Sequence, residues 1–382
     1  LIVTRIQGQV LRSLPTASGI PFPQKISPNG TVVGYVSVGA VDTPRVWTLN
    51  GSAYVEQTLP TVAGFPQGGA NAINASGMIA GYGQDTTQSN SIAVFWSPSG
   101  GTFVPTQLDG NTQQGAYGIN ADGSVAGFSL NTAVSGTPSR AKFWPAQPGG
   151  THGAQLLPVP ANTQESAATA IDDTGNLYRY RISTGGALEA IVWENQSGGF
   201  VTKTVIANDT ALLTGVSQYG TGVGVYGGEK PLVMVPLEGD YYGINLPMPF
   251  GADDGASDDV NSNDVIVGYA KDPTSGVSGQ QAAIWLPTDT EWEYTNLDVW
   301  LDQKFPATGF NWTLQEATSI TDTGLVTGRG LFNGQPRGFV LDVSSLLPEP
   351  SLGLPLACSM LIGWRWTLRL SRRTRRRSSC AG

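Results

Sequence analysis

One histidine, His152, stands in the loop Gly149-Gly-Thr-His-Gly153, and the two cysteines, Cys358 and Cys380, both lie near the C-terminus. A zinc site, a thiolate metal site or a Cys–His pair needs more of these ligands than residues 1–347 hold. A Ser-His-Asp arrangement has only His152 to use, and no Gly-x-Ser-x-Gly elbow follows an apolar strand, so His152 reads as a loop residue. Carboxylates are the remaining chemical resource. Asp172, Asp173, Asp259 and Asp322 read as turn residues. Two such carboxylates flanking a pocket could hydrolyse a glycosidic bond, whereas each alone could simply cap its own turn. The run from Asp253 to Asp264 offers oxygen ligands at alternate positions, but Ala270 stands where an EF-hand loop needs a bidentate Glu. It reads as a solvated acidic loop, with calcium as the alternative and no other metal or cofactor expected.

The elements that must position these residues follow from a repeat. The segment Ile26-Ser-Pro-Asn-Gly30-Thr-Val-Val-Gly34-Tyr35 returns as Ile73-Asn-Ala-Ser-Gly77-Met-Ile-Ala-Gly81-Tyr82 and as Ile119-Asn-Ala-Asp-Gly123-Ser-Val-Ala-Gly127-Phe128. Weaker copies begin at Ile171, Val216, Val260 and Ile320, giving seven copies spaced 47, 46, 52, 45, 44 and 60 residues apart. Each is an apolar strand end, a polar turn, a Gly and a second apolar strand. That order predicts a hairpin whose Gly is left-handed: Gly30, Gly77, Gly123, Gly175, Gly220 and Gly324, with Asp264 in the sixth copy. A third strand is expected at Arg45–Trp47, Val94–Trp96, Lys142–Trp144, Ile191–Trp193, Leu232–Val235, Ala283–Trp285 and Gly338–Leu341. A fourth element ends in Leu-Pro or Leu-Asp, as at Thr58–Thr61, Thr106–Asp109, Leu156–Pro158 and Asn245–Pro247.

Four strands per copy make a propeller blade. Ser13-Leu-Pro-Thr16 is a fourth-strand element with no hairpin before it, so the N-terminal strand is expected to complete the last blade and close the ring. An open β-solenoid is the rival architecture. Composition agrees with an all-β chain: 13% charged residues, 50 Gly and 25 Pro leave little for long surface helices. Arg179 takes the place held by Gly34, Gly81, Gly127, Gly224, Gly268 and Gly328 in the other copies. With Arg181 it could line a central channel and bind an anionic sugar. The competing reading is degeneration of the fourth blade.

Charge is unevenly distributed. Residues 1–347 hold 14 Lys and Arg against 28 Asp and Glu, an excess that repels nucleic acid and excludes that class of partner. The C-terminus is basic, with Arg372, Arg373, Arg375, Arg376 and Arg377 following the apolar stretch Leu352–Trp366. At 15 residues, that stretch is shorter than the ~20 of a comfortable span. If it inserts, the arginines set its topology and stay cytoplasmic. The chain starts at Leu1 with no signal peptide, as a fragment or processed form would.

On the hairpin repeats, residues 20 to 345 resemble the bacterial HAF-repeat extracellular proteins, whose repeats carry Ile-Asn-x-x-Gly-x-(Val/Ile)-x-Gly. The His-Ala-Phe triplet of those proteins is not kept here. On Pro348-Glu349-Pro350, the apolar stretch and the Arg cluster, the tail resembles the PEP-CTERM sorting signal. The first resemblance carries no activity. The second implies export, transient inner-membrane anchoring, an exosortase-type processing enzyme as partner, and a cell-surface or extracellular location alongside polysaccharide. The expectation is therefore an all-β, seven-bladed propeller of four-stranded repeats over 1–346, closed by an N-terminal strand. A sorting tail over 347–382 with a short hydrophobic helix follows it. The expected role is a non-catalytic scaffold or binding module of the extracellular matrix, the alternative being a glycoside hydrolase or lyase that uses turn carboxylates.

Overall fold

The computed structural model describes residues 9–110, 113–130, 139–146, 153–206, 210–277 and 279–347. His152, Pro348, Glu349, Pro350 and the arginines from Arg372 to Arg377 lie outside these residues, as does the C-terminal helix expected with them. Among the described residues, no helix is long and apolar enough to cross a membrane.

The chain begins with strand β1 (Leu11–Leu14) and then lays down six complete blades. The first is β2 (Ile20–Ile26), β3 (Val32–Val38), β4 (Val41–Asn50) and β5 (Ala53–Thr58); the second is β6 (Gln67–Ile73), β7 (Ile79–Gln84), β8 (Ser91–Ser99) and β9 (Thr102–Gln107). The third is β10 (Gln114–Ile119), β11 (Val125–Leu130), β12 (Ser139–Trp144) and β13 (Gln155–Leu156). The fourth is β14 (Thr163–Ile171), β15 (Leu177–Ser183), β16 (Leu188–Gln196) and β17 (Gly199–Ile206). The fifth is β18 (Ala211–Val216), β19 (Gly222–Tyr226), β20 (Lys230–Leu237) and β21 (Asp240–Asn245), and the sixth is β22 (Gly255–Val260), β23 (Ile266–Ala270), β24 (Gln281–Pro287) and β25 (Trp292–Asn296). Helices α1 (Leu297–Lys304) and α2 (Pro306–Gly309) fill the longest repeat interval. The seventh blade is β26 (Trp312–Ile320), β27 (Leu325–Phe332) and β28 (Gln335–Asp342), and β1 pairs with β28 to complete it, Leu11 opposite Leu341 and Leu14 opposite Gly338. The protein is a seven-bladed β-propeller closed by its N-terminal strand, as the repeat predicts.

The repeat also predicts the turns. The six turn glycines have φ between 79° and 91°, and Asp264 takes the same role at 56°. The turn residue three places earlier secures the geometry: Asn74 Oδ1 accepts from the backbone N–H groups of Ser76 and Met78, both at 3.0 Å. Its Nδ2 donates to the carbonyl of Asn120 in the next blade, and Asn120 and Asn261 reach forward in the same way. One side chain thus shapes its own hairpin and tethers the neighbouring one.

Side chains are packed between blades rather than within them. Leu59, Val33 and Val46 of the first blade share a cluster with Ala70, Ile79, Ile92 and Trp96 of the second. The third-strand tryptophans Trp47, Trp96, Trp144, Trp193 and Trp285 are all buried, and each faces an apolar residue of the second strand, as Trp96 faces Ile79. In the fifth blade Met234 takes this place opposite Gly222. The inner strands are rich in Gly, Ala, Ser and Thr because the blades converge there and large side chains would collide.

Two expected turns are not turns in the structure. Asp259 is not at a turn: it lies in inner strand β22 and is 2% exposed. The acidic run from Asp253 is accordingly not a loop, since residues 255–260 of it are this strand and Asn261–Asp264 its hairpin. Of its five carboxylates only Asp258 and Asp259 lie on this strand; Asp253 and Asp254 precede it, and Asp264 sits in the hairpin, accepting from Thr221 Oγ1. Among the described residues, no three His, Cys, Asp or Glu side chains come together to hold a metal ion.

Candidate functional site

Every inner strand carries a one-residue register shift against its neighbour, a β-bulge. The shift skips Gln24, Asn71, Tyr117, Thr169, Thr214, Asp258 and Thr318 in blades one to seven. A bulge leaves its extra residue out of the ladder and re-aims its side chain, so seven side chains form the innermost layer of the ring. Three of them link consecutive blades: Asn71 Nδ2 donates to Ala116 O at 2.8 Å, Thr214 Oγ1 to Ser257 O at 2.7 Å and Thr318 Oγ1 to Pro23 O at 3.0 Å.

The bulge explains the repeated glycine of the second strand. It pushes a carbonyl of the inner strand toward that position, and a Cβ at Gly34, Gly81, Gly127, Gly224, Gly268 or Gly328 would strike this oxygen. Only the fourth blade does without the glycine. There Arg179 stands opposite Ala168, and β14 has a second register shift between Thr163 and Glu165, as β26 has between Leu314 and Glu316.

The residue after this position is aromatic in five blades: Tyr35, Tyr82, Phe128, Tyr180 and Tyr269, with Val225 and Arg329 completing the set. All five aromatic side chains are half-buried. They lie toward the face that carries the links between blades, away from the Asn-capped hairpins. Phe22 stacks on Tyr35 with ring centroids 4.9 Å apart, and Tyr117 stacks on Phe128 at 5.6 Å. Three of the phenols donate to carboxylates: Tyr82 to Asp42, Tyr180 to Glu165 and Tyr269 to Asp254, each at 3.3 Å. Burial raises the pKa of Tyr35, Tyr82 and Tyr180, and the Tyr117 phenol adds to the rise in each. Burial and then the Asp254 charge push Tyr269 up to about 12.

Charges in this space are few and contrasting. Beside the seventh blade, Arg329 pairs with Glu316 and lies over the ring of Phe22. Asp258, from the sixth blade, is held well above the usual carboxylate range by burial and by the nearby Glu316 and Asp259 charges; its Oδ2 has no partner.

The turn carboxylates lie elsewhere, on the Asn-capped hairpins. Asp172 Oδ1 accepts from Thr174 N, Thr174 Oγ1 and Asn176 N, while its Oδ2 accepts from Asn176 Nδ2 and, at 2.7 Å, from the Tyr178 hydroxyl. Asp173 accepts from Ala121 N, and Asp322 from Ser262 N and Oγ. These groups stitch hairpins together. Arg179 and Arg181, expected as a pair, also part company. Arg181 is spent inside the blade, on Glu189 at 2.6 Å and on Asn162, whereas Arg179 reaches the bulge residue Thr169 and lies over the ring of Tyr180. The aromatic positions themselves appear in the repeat as Gly-Tyr or Gly-Phe, but the inner-strand bulge opposite them is not visible there.

No protein-family model matches the chain, and no curated protein matches it either. Among solved structures it is similar to a protein from Lactobacillus plantarum, at 16% identity and a TM-score of 0.37, over 68% of this chain and 84% of that one. It is similar also to a mutant of AofleA from Arthrobotrys oligospora, at 11% identity and 0.41, over 76% and 90% of the two chains. A gluconolactonase from Xanthomonas campestris is a third, at 11% and 0.35, over 69% and 92%. The likeness to all three is one of fold.

Proposed function

We propose that the protein is a glycan-binding propeller that acts without catalysis, as a scaffold or binding module of an extracellular polysaccharide matrix. The observation that carries this reading is the set of half-buried rings at one position of five blades, Tyr35, Tyr82, Phe128, Tyr180 and Tyr269, three of whose phenols donate to Asp42, Glu165 and Asp254. Rings offer flat apolar faces to sugar C–H groups, and carboxylates accept from sugar hydroxyls; ligand sites join such apolar walls to a few placed polar groups. Two further aromatic rings stand on links of the same face, Phe250 at 93% exposed and Phe310 at 78%. The acidic balance of residues 1–347 favours sugars over nucleic acid as partners.

The location belongs to the same reading. Export, display at the cell surface and processing by an exosortase-type enzyme rest on the likeness of the tail from Pro348 to Arg377 to a sorting signal. The hydrolase or lyase alternative is less favoured, because Asp172 is saturated by hydrogen bonds within its hairpin and Asp173 and Asp322 are engaged in bonds between hairpins.

The deciding experiment is affinity electrophoresis of the protein through gels cast with neutral or acidic polysaccharides, with Tyr82→Ala and Tyr269→Ala as comparisons. Retardation of the parent protein that weakens in both variants, with no shortening of the polysaccharide, is the expected result. Free migration in every gel overturns the reading, and cleavage of the polysaccharide restores the enzymatic one.

A further inference from the structure

Arg179 is a costly residue with no visible return inside the protein. Its six counterparts are glycines whose added Cβ would strike an inner-strand carbonyl, yet Arg179 carries its side chain at the same register, opposite Ala168 and beside the same bulge. The guanidinium makes one hydrogen bond, Nη1 to Thr169 Oγ1 at 2.8 Å, and its Nε is sealed from solvent without a partner. Among the described residues, no carboxylate pairs with it. Glu165, on the same inner strand, is taken by Ser139 Oγ at 2.7 Å and by the Tyr180 hydroxyl, and Glu189 is taken by Arg181. Burial lowers the pKa of Arg179, and the groups that act against this are the phenols Tyr180 and Tyr117.

Taking a guanidinium out of water without an anion is unfavourable, and the cost is recovered only when an anion arrives. Aromatic faces beside it, with Arg179 5.5 Å from the Tyr180 ring centre, can seat the sugar that carries such a group. The contrast with Arg329 is informative: on the far side of the ring, that arginine already has Glu316. The opening is therefore polarised, with one neutralised arginine and one waiting for a counter-ion.

We propose that Arg179 forms the anion subsite of the glycan-binding opening, and that the preferred ligand is a glycan bearing a carboxylate, such as a short uronic-acid oligomer. This rests on the glycan-binding reading above and adds the substrate class to it. Short oligomers suit the site better than long polyanions, because the acidic excess of residues 1–347 repels extended negative charge while the recessed arginine attracts a single carboxylate.

The test is calorimetric or fluorescence titration of the full chain with galacturonate di- to tetramers and with neutral galactose oligomers of the same length. Three variants accompany it: Arg179→Gly, the residue of the other six blades and hence the safest for folding, Arg179→Gln and Arg179→Lys. Thermal unfolding of each checks that the fold is kept. The expected result is tighter binding of the acidic oligomer by the parent, weakened about tenfold or more in the Gly and Gln variants and less in the Lys variant. The neutral oligomer should bind all four proteins alike. Equal loss on both oligomers, or no loss on the acidic one, overturns the subsite. Binding of the neutral oligomer alone also overturns it while leaving the glycan-binding reading standing. Binding of neither oligomer by the parent overturns both.

Discussion

The indole Nε1 of Trp96 donates to the carbonyl oxygen of Pro60 at 2.7 Å, tying the third strand of the second blade to the exit of the fourth strand in the first. The same link recurs from Trp47 to Pro15, from Trp193 to Pro158 and from Trp285 to Pro247, and from Trp144 to a carboxylate oxygen of Asp109. In each case the preceding Leu is buried: Leu14, Leu59, Leu108, Leu157 and Leu246. Leu-Pro at the end of one repeat and Trp in the next are therefore two halves of one joint. Trp96→Phe removes the donor and leaves the Pro60 carbonyl without its partner in a part-buried joint. It should lower unfolding stability by about 1–3 kcal/mol, read as a shift in the urea midpoint at unchanged slope.

The two glycines of one hairpin should differ sharply. Gly77 needs its left-handed φ of 79°, but a Cβ there would meet only Pro98 Cγ at 3.9 Å. Alanine at this position costs about 1–2 kcal/mol of backbone strain. Gly81 has ordinary backbone angles, yet its Cβ would run into the Gly69 carbonyl, a backbone atom that cannot step aside. Gly81→Ala should therefore destabilise by more than Gly77→Ala, at about 3 kcal/mol or above. Parallel urea titrations decide it: equal effects would mean that the bulge yields easily and that the glycine has no packing role.

Much of this fold is legible in the sequence, for physical reasons that also mark the limits. A left-handed turn admits few residues, so Gly30, Gly77 and Gly123 announce their hairpins. Ring closure shows because Leu14-Pro15 repeats a pattern that otherwise ends a blade. The fourth strand of the fourth blade, Gly199–Ile206, has no Leu-Pro at its exit and leaves no comparable mark. Helix α1 hides in the longest interval, where its Asn296 cap and the buried Leu297, Trp300 and Leu301 resemble one more apolar strand. The bulge is the harder loss. Gly34 and its counterparts are visible, but nothing local says that a carbonyl presses on them, and so the ring of Tyr35, Tyr82 and Tyr269 is not recognisable as an opening. Asp259 is misplaced for a related reason: the bulge at Asp258 makes the strand one residue longer than its partner, and an acidic strand resembles a loop.

Stability should fall as pH rises through the range where two buried carboxyls ionise. Burial, opposed by the Leu314 N–H donated at 2.6 Å, moves the Asp298 carboxyl up to about 6. Burial and neighbouring carboxylates move Asp258 up as well. A carboxyl that holds its proton more tightly when folded stabilises the fold below its unfolded pKa of about 3.9, and that stabilisation disappears as pH climbs through the folded value. The difference in stability between the parent and Asp298→Asn should therefore shrink or reverse between about pH 4 and pH 6. Asp258→Asn, which supplies the amide found at Asn71, should be more stable than the parent at pH 7. Chemical denaturation at several pH values measures both. A flat difference for Asp298→Asn would show that its carboxyl is ionised throughout, and a less stable Asp258→Asn would show that Asp258 is charged in the native ring.

The joint where the chain closes on itself depends on one carboxylate more than on its ion pair. Asp259 Oδ1 meets Lys25 Nζ of the first blade at 2.6 Å, while its Oδ2 accepts from Ser319 Oγ at 2.7 Å and from Ile320 N at 3.0 Å in the seventh. Lys25 keeps 34% of its side chain exposed, so its charge is largely compensated by water and the pair contributes at most about 1 kcal/mol. The Ser319 hydroxyl and Ile320 amide are buried, and neither finds water if the carboxylate is removed. Asp259→Ala should accordingly cost about 2–4 kcal/mol, well beyond Lys25→Met, with the double variant little worse than Asp259→Ala. The closing blade should also open first. Amide exchange in Asp259→Ala should rise most in β26 and β1, which hold the ring shut, while blades two to four keep their protection. Uniform loss of protection around the ring would instead mean that the seven blades unfold as one unit and that the closure has no separate weakness.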